Sequence, residues 1–294
     1  ISRMMADLGI LGSRFARVVL AVAVLEDMVI YVALNIALAR VAAGNAEAPG
    51  ALGMLGLEPG GSFGIGYHVA VTLGFVLLPV VAGSGLVQRL ADWPGNLLHR
   101  ASPIAFQLVF MLTLAGLASF VGVAPVFGAL VAGILAGDLR GEDLQARRAI
   151  SDVSSATLVP LYFAVVGLRL DLVGSFEPLF FLFLLGSACL VKSISCYVGA
   201  RLVGEARSGA RNLAVALNAR GGPGIVLASV ALDAGIVDDT FYTMLVMLAL
   251  VTSVIAGSWL EAVLKRGQGL LPGEPDDDLV AGVAARVREG PASL

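Results

Sequence analysis

Residues 18–39 read VVLAVAVLEDMVIYVALNIALA, an apolar run in which Glu26 and Asp27 stand side by side near the centre. A run of about 20 mostly apolar residues is long enough to cross the hydrocarbon core of a bilayer as a helix. An ionisable side chain at that depth costs at least ~2.5–3.5 kcal/mol, so two together mark a site of function. The whole chain agrees with this reading. Of its 294 residues 58% are apolar and 14% charged, with a mean hydropathy of +0.90, whereas soluble domains run to about 45–50% apolar and 25% charged. Lipid is therefore the solvent for most of the surface. The 36 glycines suit helices that pack closely or break at a working site. With a net charge of -3 and no basic block, nucleic acid is excluded as a partner.

The same length rule finds about eight spans, at 18–39, 63–87, 102–121, 123–137, 154–170, 178–203, 212–234 and 241–264. The fourth is short, but Ala129, Gly133 and Gly137 repeat every fourth residue, the small-residue ridge of a tightly packed membrane helix. Basic residues support the alternation, because Lys and Arg collect on the cytoplasmic side. With the first residues inside, the inner segments hold Arg3, Arg14, Arg17, Arg89, Arg100, Arg140, Arg147, Arg148, Arg201, Arg207, Arg211, Lys265, Arg266, Arg286 and Arg288. The outer ones hold Arg40 and Arg169 at their edges, among several acids. Both ends of the chain are thus expected in the cytoplasm. Residues 267–294, with Pro272, Pro275 and Asp276-Asp277-Asp278, have too little apolar content to fold alone and read as a flexible tail. Cys189 and Cys196 lie two helical turns apart, too far to bridge, and read as packing residues.

Lys192 sits near the centre of the sixth span, at the depth of Glu26 and Asp27. A structural ion pair needs one carboxylate; the second acid is surplus. Neighbours on a helix point about 100° apart, so one acid can hold Lys192 while the other is left for a ligand. Asp27, Tyr31 and Asn35 continue one helix face as a polar stripe, which reads as the wall of a wet cavity or as interhelical hydrogen bonding. The seventh span contains Asn218-Ala219-Arg220-Gly221-Gly222-Pro223-Gly224. Proline removes a helix N–H and glycine relaxes the backbone, so the helix is expected to unwind here. Unwound backbone at membrane depth occurs where it lines a cavity, a pointer to transporter sites.

These residues resemble the monovalent cation:proton antiporters of the cation/proton antiporter superfamily, which carry the sodium/hydrogen exchanger domain. The likeness rests on the acidic pair in AVLED (23–27), PLYFAVVGLR (160–169), the mid-helix Lys192 and NARG (218–221). It implies an all-α polytopic membrane protein, part of an inverted-repeat antiporter fold with a broken helix, in which residues 1–266 form the exchanger domain. It implies that Asp27 binds Na⁺ or K⁺ and the proton, that Glu26 pairs with Lys192, and that 218–224 is one of two crossing broken helices. It further implies helices ahead of Ile1, so that the chain is N-terminally incomplete, as well as a homodimer and a bacterial-type plasma membrane. The chain departs from the family in carrying Glu26 where Asp or an amide is usual, and Gly224 where many relatives have Glu. The implied function is exchange of Na⁺ or K⁺ for protons, without cofactor or enzymatic chemistry. A sodium-coupled symporter of an organic anion held by Arg220 is the alternative. An intramembrane aspartyl protease would need a second membrane aspartate, for which only the remote Asp233 offers itself.

Overall fold

The computed structural model describes residues 4, 5, 8–44, 62–138, 142–172 and 174–271. Every described regular element is helical: α1 (Arg14–Gly44), α2 (Ser62–Ala91), α3 (Leu97–Ala101), α4 (Pro103–Phe120), α5 (Pro125–Leu135), α6 (Glu142–Val153), α7 (Val159–Arg169), α8 (Pro178–Leu202), α9 (Arg207–Asn218), α10 (Gly222–Asp233) and α11 (Asp239–Lys265). Among the described residues six helices are long and apolar enough to cross a membrane. The chain is an all-α polytopic membrane protein. Each expected span coincides with a helix, a run of helix or a broken helix. The fourth, α5, has 11 residues, about 16 Å or half the hydrocarbon thickness.

The helices gather in two compact units, one made of residues up to Asp27 with those from Asp171 onward, the other of Met28–Leu170. In the second unit α4 and α5 form a close pair, with α2 against α5 and α6 against α4. Ser102 caps α4, its hydroxyl accepting from the Ala105 N–H at 3.2 Å, and Pro103 takes the first helical position, where its missing N–H costs nothing. Gly122, at φ 82°, reverses the chain into α5. The face of α5 that packs is Phe127, Gly128, Val131, Ala132 and Leu135. A Cβ on Gly128 would stand 2.5 Å from the Leu114 carbonyl oxygen, whereas one on Gly133 or Gly137 meets nothing within 4 Å. The expected ridge of Ala129, Gly133 and Gly137 is thus not the contact; spacing alone marks a small-residue face without saying which face is covered.

The stripe above Asp27 also has a different use from a wet wall. Tyr31 is buried, its ring 5.5 Å from that of Phe127. Asn35 is fully buried and its Oδ1 accepts from the Ala124 N–H at 2.9 Å, so it satisfies a donor at the start of α5. Of the two readings, interhelical bonding describes Asn35.

Between α6 and α7 lies one turn of π-helix, Ser154–Leu158, in which the Val159 N–H reaches the Ser154 carbonyl. Pro160 follows directly. Its ring would press on the carbonyl of Ala156 in a regular helix, and the wider turn removes that conflict. The fifth span is therefore the C-terminal part of a continuous helical run from 142 to 169.

In the first unit α8 packs on α9 and α11, and α11 also on α9 and α10. The core joins Phe15 and Val19 of α1 to Ala210, Leu213, Ala216 and Leu217 of α9 and to Leu260 and Leu264 of α11. Phe181 of α8 meets Met244 and Leu248 further along α11. Away from these contacts large apolar side chains point outward, Leu182 63% and Phe183 72% exposed, as a lipid-facing surface requires. Leu270 and Leu271 are buried in the same core, so packed structure runs a few residues into the segment expected to be a tail. Residues 272–294 lie outside the described residues.

Candidate functional site

Glu26 and Asp27 lie mid-way along the 31 residues of α1. Lys192 lies in the middle of α8, and its Nζ donates to both oxygens of Glu26, at 2.7 Å to Oε1 and 2.8 Å to Oε2. The side chains of the pair are 16% and 34% exposed. Desolvation weakens a lone buried charge, and a bidentate, charge-assisted contact of this length offsets it. Of the two acids it is therefore Glu26 that takes the lysine. Asp27 is half-buried, and among the described residues its carboxylate makes no hydrogen bond or ion pair. An acidic group with its oxygens available stands next to one whose charge is already matched.

The seventh span breaks as expected. Helix α9 ends at Asn218, with Ala219 at φ -59°, ψ 123°. Gly221 is extended at φ -87°, ψ -170°, and α10 begins at Gly222 with Pro223 in its first turn. The proline does not kink a continuous helix; it opens a new one, where it has no hydrogen bond to lose. The gap is thus 219–221, flanked by the carbonyl end of one helix and the amide end of another, which carry partial negative and positive charge respectively. Arg220 stands in the gap. Its carbonyl accepts from the Ser253 hydroxyl at 2.9 Å, and its buried Nε has no hydrogen-bond partner. Gly224 faces open space: a Cβ there would meet nothing within 4 Å.

Asn218 closes the end of α9. It is buried, and its Nδ2 donates to the Ser193 hydroxyl at 2.5 Å and to the Ala214 carbonyl at 3.2 Å, while its Oδ1 has no partner. Ser193 follows Lys192 on α8, so two successive residues of one helix tie the acidic pair of α1 to the break of α9. Sequence reasoning missed Ser193. Its signal was a hydroxyl next to the intramembrane lysine, but Ser195 nearby bonds only its own helix, to the Val191 carbonyl, so residue type alone does not separate the two. Among the described residues no three His, Cys, Asp or Glu side chains gather as a metal cluster. An alkali ion at Asp27 would draw its other oxygens from backbone carbonyls, such as those freed where a helix ends, and from water.

An intramembrane acid pair, its lysine and a broken helix now stand in one unit, and the family model for the transmembrane sodium/hydrogen exchanger matches residues 1–266. The chain belongs to the sodium/hydrogen exchanger family. The exchanger match ends at the residue that caps α11. Its relatives include the K(+)/H(+) antiporter 1 of Saccharomyces cerevisiae, 30% identical over 53% of this chain and 18% of that protein. The Na(+)/H(+)-K(+) antiporter GerN of Bacillus cereus is 23% identical over 60% of this chain and 45% of its own length. The Cation/H(+) antiporter 20 of Arabidopsis thaliana is 26% identical over 92% of this chain and 32% of its own. This exchanger chain spans less than half the length of each of these three.

Proposed function

We propose that this chain carries the ion-exchange site of a secondary antiporter that moves Na⁺ or K⁺ against protons across a membrane. The observation that carries the reading is the division of labour in the acidic pair: Lys192 occupies both oxygens of Glu26, and Asp27 is left for a ligand. A cation and a proton compete for the same carboxylate oxygens, so one must leave before the other binds. That exclusion is what couples their movements. The backbone freed at 219–221 supplies further dipoles at the site. Lys192 and Glu26 keep the site near neutrality while Asp27 changes its load. The relatives named above are a K⁺/H⁺, a Na⁺/H⁺-K⁺ and a cation/H⁺ antiporter, and none of these names mentions an organic anion, so antiport is favoured over symport. Residues 1–266 form the exchanger domain, lying in a bacterial-type plasma membrane with both ends of the chain in the cytoplasm; it works as a homodimer.

The test uses everted vesicles holding the whole transporter that contains this chain. Asp27→Asn is expected to abolish cation-dependent proton movement, assayed with Na⁺ and with K⁺ separately, while the protein stays inserted. Undiminished exchange by that variant would overturn the assignment.

A further inference from the structure

Asn212 lies on α9 roughly 9 Å along the helix axis from Asn218, and it is 3% exposed. Its Nδ2 donates to the Leu270 carbonyl at 3.0 Å, and its Oδ1 accepts from the Trp259 indole N–H at 3.2 Å. One amide therefore joins three segments: α9, α11 and the chain that returns after α11. The return is built into the end of that helix. Gly267, at φ 68°, reverses the backbone. The Gly267 N–H reaches the Leu264 carbonyl at 2.9 Å and the Gln268 N–H the Val263 carbonyl at 3.3 Å, the paired bonds of a glycine-terminated helix end. Leu270 and Leu271 are then buried beside Leu260, Val263 and Leu264. The Arg211 guanidinium lies 5.9 Å from the Trp259 ring centroid, over its face.

Besides Asn212 and Asn218, the buried residues of α9 are Gly209, Ala210, Leu213, Ala214, Ala216 and Leu217; their apolar burial is non-directional, so Asn212 is a second directional anchor of the helix beside the Asn218–Ser193 bond. Hydrogen bonds with narrow angular preferences do set rotation and register. We propose that Asn212 is a positioning residue of the exchange site. With Trp259 and residues 268–271 it fixes the rotation and depth of α9, and so the placement of Asn218 against Ser193 beside Lys192. The returning segment is on this view a working part of the transport unit. The proposal rests on the antiport reading.

Two substitutions in the whole transporter test it, Asn212→Leu and Trp259→Phe, each followed by cation-dependent proton movement in vesicles and by thermal melting in detergent. Asn212→Leu keeps the branched shape, adds some volume and loses both bonds. The half-saturating cation concentration is expected to rise about five-fold, the size of one net hydrogen bond, with a maximal rate within about two-fold of the unaltered protein. Trp259→Phe leaves the Leu270 bond and should give a smaller rise. A fall in melting temperature with unchanged half-saturation in both variants overturns the proposal, because that is the behaviour of packing alone. If Asn212→Leu fails to insert, Trp259→Phe decides: a raised half-saturation supports the role and an unchanged one overturns it. Absence of cation-dependent proton movement in the unaltered protein overturns the antiport reading, and the proposal with it.

Discussion

Lys192, 16% exposed in the middle of α8, has its Nζ within 2.7 Å of the Glu26 carboxylate. Truncating it to alanine leaves Glu26 beside Asp27 with no cation, and is expected to lower stability by about 1–3 kcal/mol. Glu26→Gln in the same background should recover part of that loss by removing the surplus charge. Melting of the two single variants and the double in detergent forms the cycle; additive effects would show the residues to be uncoupled. The competition proposed at Asp27 makes a second prediction. Lowering the pH should raise the half-saturating concentration of cation and leave the maximal rate less affected, which initial-rate measurements at several pH values will show. Glu26, Asp27, Lys192 and the Arg220 region were legible in the sequence because charge in an apolar run is expensive and rare. Asn35 was legible as a candidate for interhelical hydrogen bonding, without its partner Ala124; Ser193 and Asn212 were not. Hydroxyls and amides are common in membrane helices, and what distinguishes these two is a partner far away in the chain: Asn218 and Leu270 respectively.

At the scale of the element, hydropathy located the helices, since a span must satisfy its backbone internally and face lipid outside. The break in the seventh span was equally readable, because glycine and proline act on the backbone of their own position. The covered face of α5 was not, since covering depends on a neighbour. Gly128→Ala is therefore expected to destabilise the protein by about 1–3 kcal/mol, its new methyl meeting the backbone of α4. Gly133→Ala should be neutral or slightly stabilising, as alanine favours helix over glycine. Thermal melts of the two variants check the pair, and equal effects would mean that α5 packs through another face. Asp238 caps α11 by accepting from the Phe241 N–H at 2.7 Å, so Asp238→Ala should cost about 1 kcal/mol, measured in the same way.

Over the whole molecule the arrangement of charge makes a claim about sidedness. With Cys189 and Cys196 replaced, Ser208→Cys, in the first turn of α9, should react with an impermeant thiol reagent from the cytoplasmic side. Ser175→Cys, between α7 and α8, should react from the opposite side. Labelling of both from one side would refute the orientation. The π-turn at Ser154–Leu158 carries a consequence for how a chain of this kind can change in length. It is a helix holding one residue more than its hydrogen bonds would otherwise need. Deleting that residue would return the turn to regular α-helical bonding and bring the Pro160 ring back against the preceding turn, while the residues before it keep their phase. Ala146 would stay buried in its unit, and Arg147 would keep the Gly137 carbonyl it reaches at 2.6 Å. The wide turn is thus a place where the helix absorbs a single added residue without re-aiming the side chains on either side, whereas an insertion in its regular turns would rotate one flank by about 100°.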